Sequence, residues 1–169
     1  VSVGTAPALV INGTTQNLAC HNISTGSISV APTGGTPGSP SYTYAWVPPS
    51  GTITAGQGQG TASVTTLAAG IYTLNVLDAN LCSTPHTFTI TQPSAMTITA
   101  VTSSILCNSN CTGSIVANAT GGTGSLNYSW TPIGGNTQTV SGLCANNTGT
   151  VPPSYTLTVT DQNTCSIVN

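Results

Sequence analysis

Apolar and polar positions alternate along much of this chain. Within 27–31, Ile28 and Val30 point one way and their neighbours the other. Tyr72, Leu74 and Val76 share one face, and Thr73, Asn75 and Leu77 share the opposite one. Stretches 87–91 and 96–101 keep the same period of two, which is the period of half-buried strands. Gly, Pro and Asn break the pattern at short intervals, as turns require. About seven short strands per half are predicted, so the fold class is all-β: two tandem immunoglobulin-like or fibronectin-III-like β-sandwiches, end to end.

Two halves emerge because the pattern repeats. Cys20 leads to Gly26-Ser27-Ile28, then Gly34-Gly35, then Tyr42-Thr43-Tyr44-Ala45-Trp46. Cys107 leads to Gly113-Ser114-Ile115, then Gly121-Gly122, then Asn127-Tyr128-Ser129-Trp130. Both tails then carry Tyr-x-Leu-x-Val-x-Asp-x-Asn-x-Cys, once over Tyr72 to Cys82 and once over Tyr155 to Cys165. The boundary is expected at Pro93, giving repeats at 1–93 and 94–169. Stretch 87–91 reads as the last strand of the first repeat, and 96–101 as the first strand of the second. Stretch 1–6 reads as the last strand of a preceding repeat, and the second repeat as lacking its own last strand. A strand borrowed from a neighbour would complete it. Extra residues fall between Gly35 and Trp46 and again before Tyr155, as loop insertions do.

Within each sandwich Trp46 and Trp130 take core positions on the third strand, and Tyr72 and Tyr155 take the tyrosine-corner position. Asp78 and Asp161 open the following hairpin turns, where a carboxylate can accept backbone N–H groups.

Composition narrows the function. Of 169 residues none is Lys or Arg, two are acidic and two are His. Phosphate recognition needs cations, so nucleic acid and anionic membrane surfaces are excluded as partners. No apolar run is long enough to insert in a bilayer. A basic signal-peptide region is absent, and a chain opening on Val1 reads as a processed or excised piece. The nearly uncharged surface favours self-association, so the expected partners are neighbouring repeats of the same protein, in a homo-oligomer or filament. Six Cys imply an oxidising, extracellular setting.

The pattern C-x5-G-S-I, G-G, Y-x-W, G-x-Y-x-L-x-V-x-D-x-N-x-C and T-I-T-Q-P resembles the SprB-type repeat of cell-surface adhesins of gliding Bacteroidota. It follows residues 20–93 closely and 107–165 more loosely. That family has Gly before the last Cys; here Leu81 and Thr164 stand there. The resemblance implies type IX secretion, display at the cell surface, roles in adhesion, gliding or filament building, and no catalytic residues.

Disulfide pairing stays open between two schemes. Cys20 and Cys82 lie at opposite ends of a sandwich about 25 Å long, whereas a disulfide needs Cα atoms within roughly 7 Å. An inter-domain Cys20–Cys165 bond fits better, leaving Cys82 and Cys107 for neighbouring units. The alternative pairs Cys20 with Cys82 and Cys107 with Cys165. Cys111 and Cys144 occur only in the second repeat, at the same end, and should pair with each other.

Candidate chemistry is sparse. Asp78 and Asp161 sit in equivalent turns of different domains and cannot form an acid–base pair. One carboxylate per repeat makes no calcium site. His21 and His86 do not recur and make no zinc site. Neither cofactor nor metal is expected. Sequons begin at Asn12, Asn22, Asn110, Asn118, Asn127 and Asn146, and Thr-x-Thr runs recur on strand faces. Three roles remain: the shaft of an adhesin or filament, a glycan- or surface-binding module using the loops at 36–41 and 144–154, and a spacer in a secreted hydrolase.

Overall fold

The computed structural model describes residues 6–36, 42–103, 111–132, 135–144 and 154–169. The chain divides into two compact units, Val1–Gln92 and Pro93–Asn169. Each is a small antiparallel β-sandwich of the immunoglobulin-like class.

Unit 1 comprises β1 (Val10–Gln16), β2 (Gly26–Thr33), β3 (Thr43–Val47), β4 (Ser63–Leu67), β5 (Gly70–Leu77) and β6 (Ser83–Ile90). One sheet has the order β1-β2-β4 and the other β3-β5-β6. Ile28, Val30, Val64 and Leu67 of the first sheet pack against Trp46, Tyr72, Leu74, Val76, Phe88 and Ile90 of the second. Ile28, Val64, Leu74 and Val76 are fully buried. Each such side chain stabilises the fold by about 1.5–3 kcal/mol relative to exposure.

Unit 2 repeats the plan with β7 (Thr97–Ser103), β8 (Gly113–Thr120), β9 (Asn127–Thr131), β10 (Thr139–Leu143), β11 (Thr156–Thr160) and β12 (Ser166–Val168). Its sheets are β7-β8-β10 and β9-β11-β12. Ala117, Tyr128, Trp130, Val140, Leu143, Leu157 and Val159 form its core.

Two expectations need correction. Each unit has six strands among its described residues, not seven. In unit 1 the segment between β3 and β4 opens with Pro48-Pro49, and Pro cannot donate to a ladder. It forms a 3-10 turn at Ala55–Gln57 instead. The last strand of unit 2 is also not wholly missing, since β12 pairs with β11 from Thr158↔Val168 to Thr160↔Ser166. Last strands start directly after the Cys of the turn, as β6 does at Ser83, earlier than alternation alone indicated. The strand expected at 1–6 lies outside the described residues except for Ala6.

Candidate functional site

The recurring tail motif builds the same device in both units. Asp78 follows β5 and is 5 % exposed, yet carries a charge. Its Oδ1 accepts the backbone N–H groups of Asn80 and Cys82, each at 2.9 Å. Its Oδ2 accepts the N–H of Thr36, 42 residues earlier, also at 2.9 Å. Asp161 does likewise: Oδ1 takes the N–H groups of Asn163 and Cys165, and Oδ2 that of Thr123, all at 2.9 Å. A buried carboxylate is tolerable only when so satisfied. The cage is lined by positive N–H dipoles, the opposite polarity to a calcium loop, so each Asp anchors its turn and the β2–β3 or β8–β9 connection.

The double Gly completes this cage. Gly34 and Gly35 have φ of 78° and 67°, and Gly121 and Gly122 have 85° and 70°. A Cβ at Gly34 or Gly121 would sit 2.0 Å from the carbonyl oxygen of Ala8 or Ala95. A Cβ at Gly35 or Gly122 would press on the Asp Oδ2, at 2.9 and 3.0 Å. Only Gly allows the chain to pass between the first strand and the carboxylate. Thr36, Thr123 and the glycines were not picked out as partners of Asp from sequence; the recurrence of Gly-Gly with Asp in both repeats was the available signal.

The hydrogen bond from the Thr36 amide, with those from Cys82 and Asn80, holds the Asp78 carboxyl below the ordinary carboxylate range; burial opposes this. A depressed pKa means that the stabilisation is present above about pH 4 and lost as pH falls through the lower folded value. Unit 1 should therefore hold its melting temperature from neutrality to about pH 4 and lose it below. In Asp78→Asn the acid decline should flatten from a lower starting point. An unchanged acid limb in a melting series would refute this role.

Leu81 and Thr164 both adopt left-handed backbone, with φ of 62° and 66°. Each closes a turn in which its own N–H reaches the Asp carbonyl, at 3.0 and 3.1 Å. A side chain there costs roughly 1–2 kcal/mol. Leu81→Gly and Thr164→Gly should each stabilise their unit by about 1 kcal/mol in chemical denaturation, after allowance for the greater freedom of unfolded Gly.

Trp46 and Trp130 are both 3 % exposed. Their indole N–H groups donate to the carbonyls of Thr61 and Thr137, each at 2.9 Å. The Tyr72 hydroxyl donates to the Ala68 carbonyl at 3.0 Å, the geometry of a tyrosine corner. Tyr155 is only half-buried. His86 leans on Phe88, ring centroids 4.8 Å apart, while His21 lies on an exposed loop. Among the described residues no three His, Cys or Asp cluster as metal ligands would. Nor, among the described residues, is any helix long and apolar enough to cross a membrane.

Cys111 and Cys144 form a disulfide. Cys20 and Cys165 are each disulfide-bonded, whereas Cys82 keeps an exposed free thiol. The alternative joining Cys20 to Cys82 therefore falls. The reason is the length of β6, eight residues starting beside Cys82. The Cys20 loop is tied to its far end, where Leu18 N–H donates to the Thr91 carbonyl at 3.0 Å and Asn17 Oδ1 accepts the Thr91 N–H at 2.8 Å. Cys107 lies outside the described residues.

With these turns in view, the SprB repeat model matches residues 12–51 and again 99–135. The chain carries two SprB-type repeats in tandem. The matched parts of each SprB repeat run from the first strand through the Gly-Gly passage and past the core Trp, which are the parts that recur in space. No curated protein matches the chain. Among solved structures it is similar to the three N-terminal domains of the bacteriophage RB49 Highly Immunogenic Outer Capsid protein (Hoc), at 16 % identity and TM-score 0.40. That match covers 97 % of this chain and 58 % of the other. SprB repeats belong to cell-surface adhesins, and the disulfides suit an extracellular protein.

Proposed function

We propose that this chain is a non-catalytic structural segment of an extracellular adhesin or filament of a gliding bacterium, exported by type IX secretion. Its task is to give a stiff, disulfide-stapled shaft for surface attachment. The observation that carries the reading is the use of both carboxylates. The only two acidic side chains are tied to backbone amides in turns, which leaves no acid–base pair for chemistry.

Further support comes from the cystines. Cys111 and Cys144 staple unit 2, and Cys20 and Cys165 are each bonded. The exposed Cys82 thiol is then left for a neighbouring chain, consistent with a homo-oligomer.

Immunogold labelling of intact cells tests this. Label along extracellular fibres, together with loss of attachment when the coding segment is deleted, is the expected result. Label confined to the cell interior would overturn it.

A further inference from the structure

Tension in a shaft travels along the chain. Each unit must therefore pass it from the strand where the chain enters to the strand where it leaves. In unit 1 these strands are β1 and β6. They lie side by side, since a Cβ on Gly13 of β1 would stand 2.6 Å from the Phe88 ring of β6.

Their directions follow from hydrogen bonds at the two ends. Shortly before β1, the Pro7 carbonyl accepts the Gly35 N–H at 2.8 Å. The next residue, Thr36, donates to Asp78, and Asp78 also holds the N–H of Cys82, just before β6. Both strands therefore start beside the Asp78 cage. Shortly after β1, the Leu18 N–H donates to the carbonyl of Thr91, just after β6, at 3.0 Å. β1 and β6 therefore run the same way, and the chain enters and leaves unit 1 at opposite ends. Unit 2 repeats the entry end, where Gly122 N–H donates to the Ser94 carbonyl and Thr123 N–H to Asp161. Residues 104 and 105, the counterparts of Asn17 and Leu18, lie outside the described residues.

This arrangement decides how a pull is felt. Drawing the ends apart slides β1 and β6 past one another along their lengths. Bonds that cross between sliding strands are strained together. Bonds between strands peeled apart sideways break one at a time, each under little force.

The crossing bonds converge on the exit. Thr91 uses both of its main-chain groups: its N–H donates to Asn17 Oδ1 at 2.8 Å, and its carbonyl takes the Leu18 N–H. Gln92 adds a third bond, its Oε1 accepting the Asn22 N–H at 2.8 Å. Asn17 and Asn22 stand 74 and 70 residues from these partners. Tension crossing here bypasses nearly all the chain between. The core side of the junction is dry. Leu18 and Ile90 are buried, and both press on Gly26, where a Cβ would stand 3.2 Å from Leu18 and 2.9 Å from Ile90. Excluding water on that side removes a competitor for the bonds.

We propose that Asn17, Leu18 and Thr91 form a tension clamp, giving unit 1 the mechanical function of surviving an axial pull. The clamp deepens the shaft reading above and rests on it for its purpose.

Single-molecule force spectroscopy on the full chain, held by its two ends at constant force, tests it. Cys20 is disulfide-bonded, so a reductant is included and hydrogen bonds and packing act alone. The extension step of unit 1, the longer unit, is the one read. Asn17→Ala should shorten its lifetime about tenfold, the order expected when a bond broken at the barrier is lost. Asn17 is exposed, so the variant keeps its fold. Asn17→Asp retains an acceptor for the Thr91 N–H and should restore the lifetime. Val64→Ala, in the core on β4, should cost at least as much stability in urea, yet change the forced lifetime by less than about threefold. Lifetimes that simply follow urea stability across the three variants would overturn the clamp. So would an Asn17→Ala lifetime equal to that of the unaltered chain. Surface label without a clamp would sink the clamp alone; a clamp without surface label would sink the shaft reading alone.

Discussion

Replacing Trp46 by Ala should destabilise unit 1 by about 3–5 kcal/mol, the usual cost of emptying a large buried aromatic site. Trp46 stands on β3 between the sheets and meets Phe88, ring centroids 6.0 Å apart. Its removal opens a cavity that the neighbouring strands cannot fill by moving, because β5 is hydrogen-bonded on both edges. It also strands the Thr61 carbonyl, which accepts the indole N–H. A small domain has only about 5–15 kcal/mol in total, so unit 1 should lose much of its margin. Urea unfolding followed by tyrosine and circular-dichroism signals measures this, and Trp130 fluorescence reports unit 2 in the same sample. A loss below about 1 kcal/mol would mean that Trp46 is not a core anchor.

Unit 2 should depend more on its cystine than on any one side chain. Cys111 and Cys144 close a loop spanning 33 residues, for which chain entropy alone gives about 4 kcal/mol. Its described core is smaller than that of unit 1, with seven buried apolar residues against thirteen. Small cores lean on staples. Cys111→Ser with Cys144→Ser should therefore lower unit 2 by about 3–4 kcal/mol and leave unit 1 unmoved. Reduction of the unaltered chain should cost unit 2 at least as much, since it also opens the bonds of Cys20 and Cys165. A non-reducing peptide map checks the link itself; it needs a protease other than trypsin, since the chain has no Lys or Arg. Equal stability with and without the pair would remove the staple from the account.

Much of the fold was legible because it is local. Alternation at Tyr72, Leu74 and Val76 placed β5 and its buried face, and these residues are 4 %, 0 % and 0 % exposed. The recurrence of Trp46 at Trp130 placed the core of each unit. Turns with only short-range partners were also readable, as the Asp78–Asn80 contact shows. What escaped notice depends on residues far apart in sequence. Nothing near Asp78 indicates that its second oxygen belongs to Thr36. The strand count failed where Pro48 and Pro49 interrupt pairing without ending the apolar pattern. The start of β6 was placed late because Thr84 and Pro85 give no alternation, and the tight turn at Leu81 sets the strand start instead.

Enclosing both carboxylates has a consequence for the medium in which the molecule works. With no Lys or Arg and both Asp side chains turned inward, the folded surface presents almost no fixed charge to dissolved ions. Mobile ions weaken contacts by screening exposed charges, with a Debye length of about 30 Å in dilute water and about 8 Å at physiological strength. A surface without such charges gives them little to act on. Fresh water and brine should look nearly alike to it, and contacts made through its Thr-rich faces should hold across that range.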